Sequence, residues 1–284
     1  MALQLRRLSN GLGAEVMGLD LTRVAEREFG EINKAWLDHG ILLFRGQRLT
    51  TPQHIAFSRG FGELDDHENA PQDRHPDYKE VLLITNKPKQ SGAPSDTRYT
   101  GRVWHSDHSF TPRPALGSLL RAVEIPDVGG DTMFTNMYLA YESLSDGMKK
   151  MIADLHGVHT TARKVDDPER LADMKRRNPP VAQPLVRVHP ETGRKALYVG
   201  EKVKQIAGMT QEESRPLLDY LCKHATRHEF VYRHQWRRDD LLMWDNRCTM
   251  HIALGDYDET QLRHMERTTV LGTPSGYVYD GALH

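Results

Sequence analysis

What most restricts the fold of this chain is a succession of short apolar runs, each long enough for one strand and each stopped by turn residues. "ILLFRG" (41–46), "EVLLITN" (80–86), "ALGSLLRAVEI" (115–125), "PLVRVH" (184–189), "KALYVG" (195–200), "EFVYRHQW" (229–236), "DLLMW" (240–244) and "RTTVLG" (267–272) are of this kind. Helices do not alternate regularly with these runs. The pattern therefore argues against a doubly wound parallel sheet and predicts an antiparallel barrel or sandwich. The opening "LQLRRLSNGLGAEVMGLDL" (3–21) adds short strands joined by tight turns at Gly11, Gly13 and Gly18.

Helical spacing appears in a few places. Val24, Phe29, Ile32, Trp36 and Leu37 recur as one helical face, and Gly40 stops it. "TPQHIAFSRGFG" (51–62) starts a short helix, with Thr50 or Thr51 as cap and Pro52 in the first turn. Met137–Leu155 reads as one helix, and Thr210–Ala225 as another, opened by a capping box between Thr210 and Glu213. Segment 87–101 is a polar loop rich in glycine and proline, and 161–180 is a charged excursion ending in prolines. No repeat or composition break marks a linker, so 1–284 is expected to form a single domain.

Composition removes several function classes. Thirty-eight Lys and Arg balance thirty-nine Asp and Glu, which leaves no excess charge to draw the protein to nucleic acid or an anionic membrane. The N-terminal stretch lacks a secretory apolar core and no membrane-length apolar run occurs, so a cytoplasmic protein is expected. Cys222 and Cys248 make neither a disulfide framework nor a thiolate metal cluster.

Chemistry concentrates in "GRVWHSDHSF" (101–110). With fifteen histidines in the chain, an adjacent His and Asp can be a mere polar turn. On an extended backbone, however, His105 and Asp107 share a face, and imidazole with carboxylate suits iron(II), manganese or zinc. Such a pair needs one more histidine, and His251, which follows the turn in "LLMWDNRCTMHIALGDY", is the best candidate. His108 would fall on the opposite face, where packing or hydrogen bonding is its expected role. Arg263 and Arg267 lie four apart on one face of a strand or a helix; they are either surface charge or, if inward, cations that need anions. Thr132, after Gly129 and Gly130, offers a hydroxyl beside a tight turn.

Taken together, "FGEL" (61–64), "WHSDHSF" (104–110), "GGDT" (129–132), "WDNRCTMH" (244–251) and "RHMERTTVLG" (263–272) occur in an order that resembles one family. It is the taurine dioxygenase and 2,4-dichlorophenoxyacetate dioxygenase family of iron(II)- and 2-oxoglutarate-dependent oxygenases. The resemblance spans nearly the whole chain and implies a mainly β fold, a double-stranded β-helix (jelly roll) with flanking helices and long active-site loops. It implies that His105, Asp107 and His251 bind Fe(II), and that Arg263 pairs with the distal carboxylate of 2-oxoglutarate, assisted by Thr132. Arg267 is expected near the substrate anion or at the cosubstrate end. His67 matches a histidine that helps bind sulfonate in the taurine enzyme.

The reaction implied consumes 2-oxoglutarate and O2 and hydroxylates a C–H bond of a small organic anion, an aryloxyalkanoate, sulfonate or related acid. Between Asn86 and Trp104 the chain carries a longer insertion than the taurine enzyme, so Lys87–Arg102 is expected to cover the substrate, and an acid larger than taurine to be preferred. The protein is expected to form a homo-oligomer. A cupin-type zinc or manganese hydrolase or isomerase would also use the His-Asp-His set but leaves Arg263 and Thr132 unexplained. A non-catalytic metabolite-binding sandwich would not need that set.

Overall fold

The computed structural model describes residues 3–281 and 283, apart from 69, 89–91, 93, 96 and 162–167. Its largest sheet has seven strands in the order Gln4–Arg7, Ala14–Met17, Ile41–Phe44, Leu241–Asp245, Ala115–Glu124, His264–Leu271, Leu82–Thr85. All neighbours are antiparallel except Ala14–Met17 against Ile41–Phe44. Strands from both ends of the chain thus pair in one sheet. Ile41, Leu42, Leu43 and Phe44 are all fully buried, which is why this run is continuously apolar rather than alternating.

Three smaller sheets complete a mainly β architecture. Thr132–Asn136 lies between Val231–His234 and Thr249–Ala253, with Phe134 opposite His251. His156–His159 and Val181–Pro184 pair within a four-stranded sheet, flanked by Val203–Ile206 and Tyr277–Val278. Val186–Val188 pairs with Lys195–Leu197.

The helix Glu26–His39 buries Ile32, Ala35 and Trp36 against the large sheet. Gly40 ends it in the left-handed conformation at φ 70°, with its amide bonded to the Trp36 carbonyl. The helix Thr51–Arg59 is capped by Thr50, whose hydroxyl accepts from Gln53 N while the Gln53 side chain accepts from Thr50 N. Phe61 meets Phe29 and Phe57 edge-on, and those two rings are tilted to each other, at centroid distances of 5.3 to 5.7 Å. No described helix is long and apolar enough to cross a membrane.

The structure corrects two local readings. Met137–Leu155 is not one helix: Met137–Glu142 and Asp146–Ile152 are separate, because the Ser145 hydroxyl accepts from Met148 N and starts a new helix. The excursion 161–180 contains a helix, Pro168–Arg177; residues 162–167 lie outside the described residues. Thr132, after the two glycines, is the first residue of a buried strand. Strands at 132–136, 156–159, 181–184, 203–206 and 249–253 escape the apolar pattern because they bury polar groups such as His159, Gln183, Gln205 and His251.

Candidate active site

His251 sits on the strand Thr249–Ala253, and His105 is bridged to it from a loop. His105 N donates to His251 O (3.0 Å) and His251 N donates to His105 O (2.8 Å). This bridge sets their rings 4.3 Å apart. Asp107 is not the next inward residue of a strand, as the extended reading required. Beyond His105 the chain enters a turn, and side-chain contacts aim the carboxylate. Asp107 N donates to Asn246 Oδ1 (3.0 Å), while Asp107 Oδ2 accepts from Ser118 Oγ (2.7 Å) and Oδ1 from Arg267 (2.7 Å).

Asp107 then stands 3.7 Å from His105 Nε2 and 3.9 Å from His251 Nε2, and the three groups offer donor atoms that all lie within 4.8 Å of one another. All are buried. His105 Nδ1 faces the Val103 carbonyl at 2.7 Å, which favours a proton on Nδ1 and leaves the Nε2 lone pair for a metal. Burial lowers the proton affinity of both imidazoles, aided by the nearby Lys202 ammonium; His105 falls well below 6.5 and His251 to about 4. Burial would raise the Asp107 carboxyl, but Arg267 and the histidines outweigh it and hold it well below 3.8. Neutral imidazoles and an ionised carboxylate are the protonation states that a divalent metal requires.

Asn246 and Ser118 escape a reading by residue type. Asn246 accepts from Trp244 Nε1 (3.0 Å) as well as from Asp107 N, and donates to Ser118 Oγ (3.0 Å). Its position in "WDNRCTMH" was visible, but its partners are distant in sequence. The turn is fixed from below by Asp245, which pairs with Arg247 (2.6 Å) and His189 (3.0 Å).

Arg263 is 6% exposed, and its Nε donates to Gly130 O (3.0 Å). No carboxylate pairs with it among the described residues, and burial lowers its affinity for its proton to about 10. A buried guanidinium without a counterion is a demand for an anion. Thr132 follows two residues after Gly130, whose carbonyl Arg263 holds, and Gly129 and Gly130 are both at positive φ. Trp236 Nε1 donates to Thr132 Oγ1 (3.0 Å), so the threonine hydrogen is free to be donated onward. Both residues therefore fit a carboxylate, and the triad fits a divalent metal.

The remaining expected residues separate. Arg267 is buried but engaged with Asp107 rather than unpaired. His67 is also buried; its Nδ1 is 3.0 Å from Asp65 Oδ2, which is 3.5 Å from His108 Nδ1. Thus His108 is no ligand of the triad but half of a histidine pair held by Asp65. Trp104 packs on the core, whereas the Phe110 ring lies 5.9 Å from that of His108. The far end of the insertion docks beside Arg263: Arg102 pairs with Glu259 (3.3 Å), and Tyr99 lies between the Arg98 and Arg102 guanidiniums. Other parts of Lys87–Arg102 lie outside the described residues.

Against known proteins, residues 4–269 match the taurine catabolism dioxygenase TauD, TfdA family. An alpha-ketoglutarate-dependent 2,4-dichlorophenoxyacetate dioxygenase of Burkholderia sp. (strain RASC) is 38% identical over 243 residues, covering 82% of each chain. A (S)-phenoxypropionate/alpha-ketoglutarate-dioxygenase of Sphingobium herbicidovorans is 32% identical and covers 96% of each. The crystal structure of AAD-2 in complex with Mn(II) and N-oxalylglycine superimposes with a TM-score of 0.88 at 35% identity, over 97% of this chain and 99% of that one.

Proposed function

Because the chain belongs to the TauD/TfdA family of dioxygenases, we propose that it is an iron(II)- and 2-oxoglutarate-dependent oxygenase that hydroxylates a C–H bond of a small organic anion. The observation that carries this reading is the gathering of one buried carboxylate and two buried imidazoles, together with a buried arginine that has no carboxylate partner among the described residues. A hydrolase of cupin type has no use for that arginine.

In this reading His105, Asp107 and His251 hold Fe(II). Arg263 receives the distal carboxylate of 2-oxoglutarate, and Thr132 donates its hydroxyl to the same end. Bound iron and 2-oxoglutarate supply the oxidising power: O2 is consumed, 2-oxoglutarate becomes succinate and carbon dioxide, and one oxygen atom enters the substrate C–H bond. The protein orients and excludes. Arg267 neutralises Asp107, and His67, fixed by Asp65, takes part in lining the substrate site. Ser118 and Asn246 keep Asp107 aimed at the metal.

The scaffold is read as a double-stranded β-helix of the jelly-roll kind, formed by residues 1–284 as one domain, since strands from both ends share the large sheet. The substrate class proposed is aryloxyalkanoate, sulfonate or a related acid; the named relatives act on acids of the first kind. A homo-oligomer in the cytoplasm, without nucleic-acid or membrane partners, is the accompanying proposal, consistent with the near balance of charges.

The test is anaerobic loading with Fe(II) and 2-oxoglutarate, addition of taurine, longer alkylsulfonates, aryloxyacetates or aryloxypropionates, then admission of oxygen. Succinate should form in step with a hydroxylated or cleaved acid. Absence of 2-oxoglutarate conversion under every condition would overturn the reading.

A further inference from the structure

Resting on the oxygenase reading, we propose that Lys202 is a specificity-determining contact. Its ammonium receives the carboxylate or sulfonate of an organic acid whose apolar body lies along Phe110.

The loop that carries Lys202 is clamped to the metal-site chain. Glu201 N donates to Trp104 O (2.9 Å), and Trp104 N donates to Glu201 Oε1 (3.1 Å). One residue earlier, a Cβ on Gly200 would stand 2.9 Å from Trp104 O and 3.5 Å from the His105 Cα, so glycine is what allows the loop so close. The Lys202 carbonyl is held from the other side by Thr160 N (3.1 Å). Its backbone is therefore fixed two residues beyond the closest approach to His105.

From there the ammonium reaches 6.0 Å from the Phe110 ring centroid. Phe110 continues to His108 at 5.9 Å, and His108 to His67 at 6.2 Å. These side chains make an unbroken wall from Lys202 to the histidine pair, alongside Asp107. An aromatic centre with cationic or polar ends is the shape complement of an acid with an apolar body.

The charges around the triad are unequally satisfied. Arg267 has Asp107, and His67 and His108 have Asp65. Lys202 has no carboxylate partner among the described residues, since the Glu201 side chain is spent on Trp104 N. Arg187 is 3% exposed with its Nη1 unbonded and its guanidinium 5.1 Å from the Tyr198 ring, and both ring nitrogens of His159, 2% exposed, are likewise unbonded. Burial lowers the Lys202 proton affinity to about 8 against the opposing pull of the Asp107 carboxylate, which still leaves it charged at neutral pH. A half-buried cation with no carboxylate in direct contact among the described residues is relieved by an incoming anion.

Lys202→Met removes the charge while keeping the length, and Lys202→Arg keeps the charge. The protein loaded with Mn(II) and 2-oxoglutarate, without oxygen, is titrated with 2,4-dichlorophenoxyacetate, 2-phenoxypropionate, hexanesulfonate and the methyl esters of the two carboxylic acids. Lys202→Met should bind the acids roughly ten- to a hundredfold more weakly, with ester binding and 2-oxoglutarate affinity nearly unchanged, and Lys202→Arg should recover most of the loss. Selective loss for carboxylates or for the sulfonate identifies which anion is served. Equal weakening of acid and ester, an unchanged acid constant, or no acid bound by a wild-type protein that converts 2-oxoglutarate each overturns the role of Lys202. A wild-type protein that converts no 2-oxoglutarate overturns the oxygenase reading instead.

Discussion

His105 and His251 face each other across an antiparallel bridge of two backbone hydrogen bonds, 3.0 and 2.8 Å long, although 251 − 105 = 146 positions, about half the chain, separate them in sequence. Two of the proposed ligands are thus held by the backbone itself, and only the carboxylate depends on side-chain contacts. That division sets the sensitivity of the site to substitution.

Asp107→Ala should abolish productive metal binding and all substrate-dependent succinate formation. Asn246→Ala, which frees Asp107 N and loosens Ser118, should weaken Mn(II) affinity by about ten- to a hundredfold, the range for residues that orient a ligand. Calorimetric metal titration with a circular dichroism check on folding distinguishes the two. Wild-type affinity in Asn246→Ala would mean that the turn aims Asp107 unaided.

For the cosubstrate, Arg263→Ala should weaken 2-oxoglutarate binding by roughly ten- to a thousandfold, because a charge-assisted contact to a buried anion is lost. Metal affinity should change little. Anaerobic titration of the metal-loaded variant measures this, and an unchanged constant would remove Arg263 from the role.

At the back of the large sheet, Gly117 lies opposite Asp245 and Val270, and a Cβ there would sit 2.3 Å from Cη2 of Trp36. Trp36 is fully buried and has nowhere to move. Gly117→Ala should therefore cost about 1–3 kcal/mol or more by overpacking. Urea unfolding checks it; an unchanged midpoint would show that the helix Glu26–His39 can shift without loss.

Stability should also fall in mild acid. Burial, with Arg121 nearby, lowers His54 from 6.5 to about 4, and burial lowers His159 to about 3. Well above pH 6.5 these groups are neutral in both folded and unfolded chains and contribute no slope. As pH drops from about 6.5 toward 4, the unfolded chain takes protons that the folded one refuses, so stability declines. Carboxylates held far below 3.8, such as Asp245, add their loss only at lower pH. The urea midpoint of the metal-free protein should follow this course, with a shallower decline in His54→Gln. A midpoint that rises between pH 6.5 and 4 contradicts the assignment.

The strands with apolar runs were legible because a buried central strand needs nothing but β-branched and aliphatic side chains, as in Ile41–Phe44. Helix starts at Thr50 and Thr210 were legible because a cap is a contact between residues three apart. The break after Glu142 was a near miss, since the helical spacing of apolar residues continues across Ser145 and hides its cap.

The sequence alone determined the chemical inventory: a His-x-Asp pair, a distant histidine, two arginines four apart and a glycine-flanked threonine, in an order that marked the family. Only the tertiary structure decided what each group faces. It placed Asp107 through a turn, engaged Arg267 with that carboxylate while leaving Arg263 unpaired, tied His67 and His108 to Asp65, and brought Lys202 beside Phe110. The physical reason is range. Propensity, capping and apolar periodicity act over a few residues, whereas the partner of a buried charge is chosen by sheet register and loop packing between segments far apart in the chain.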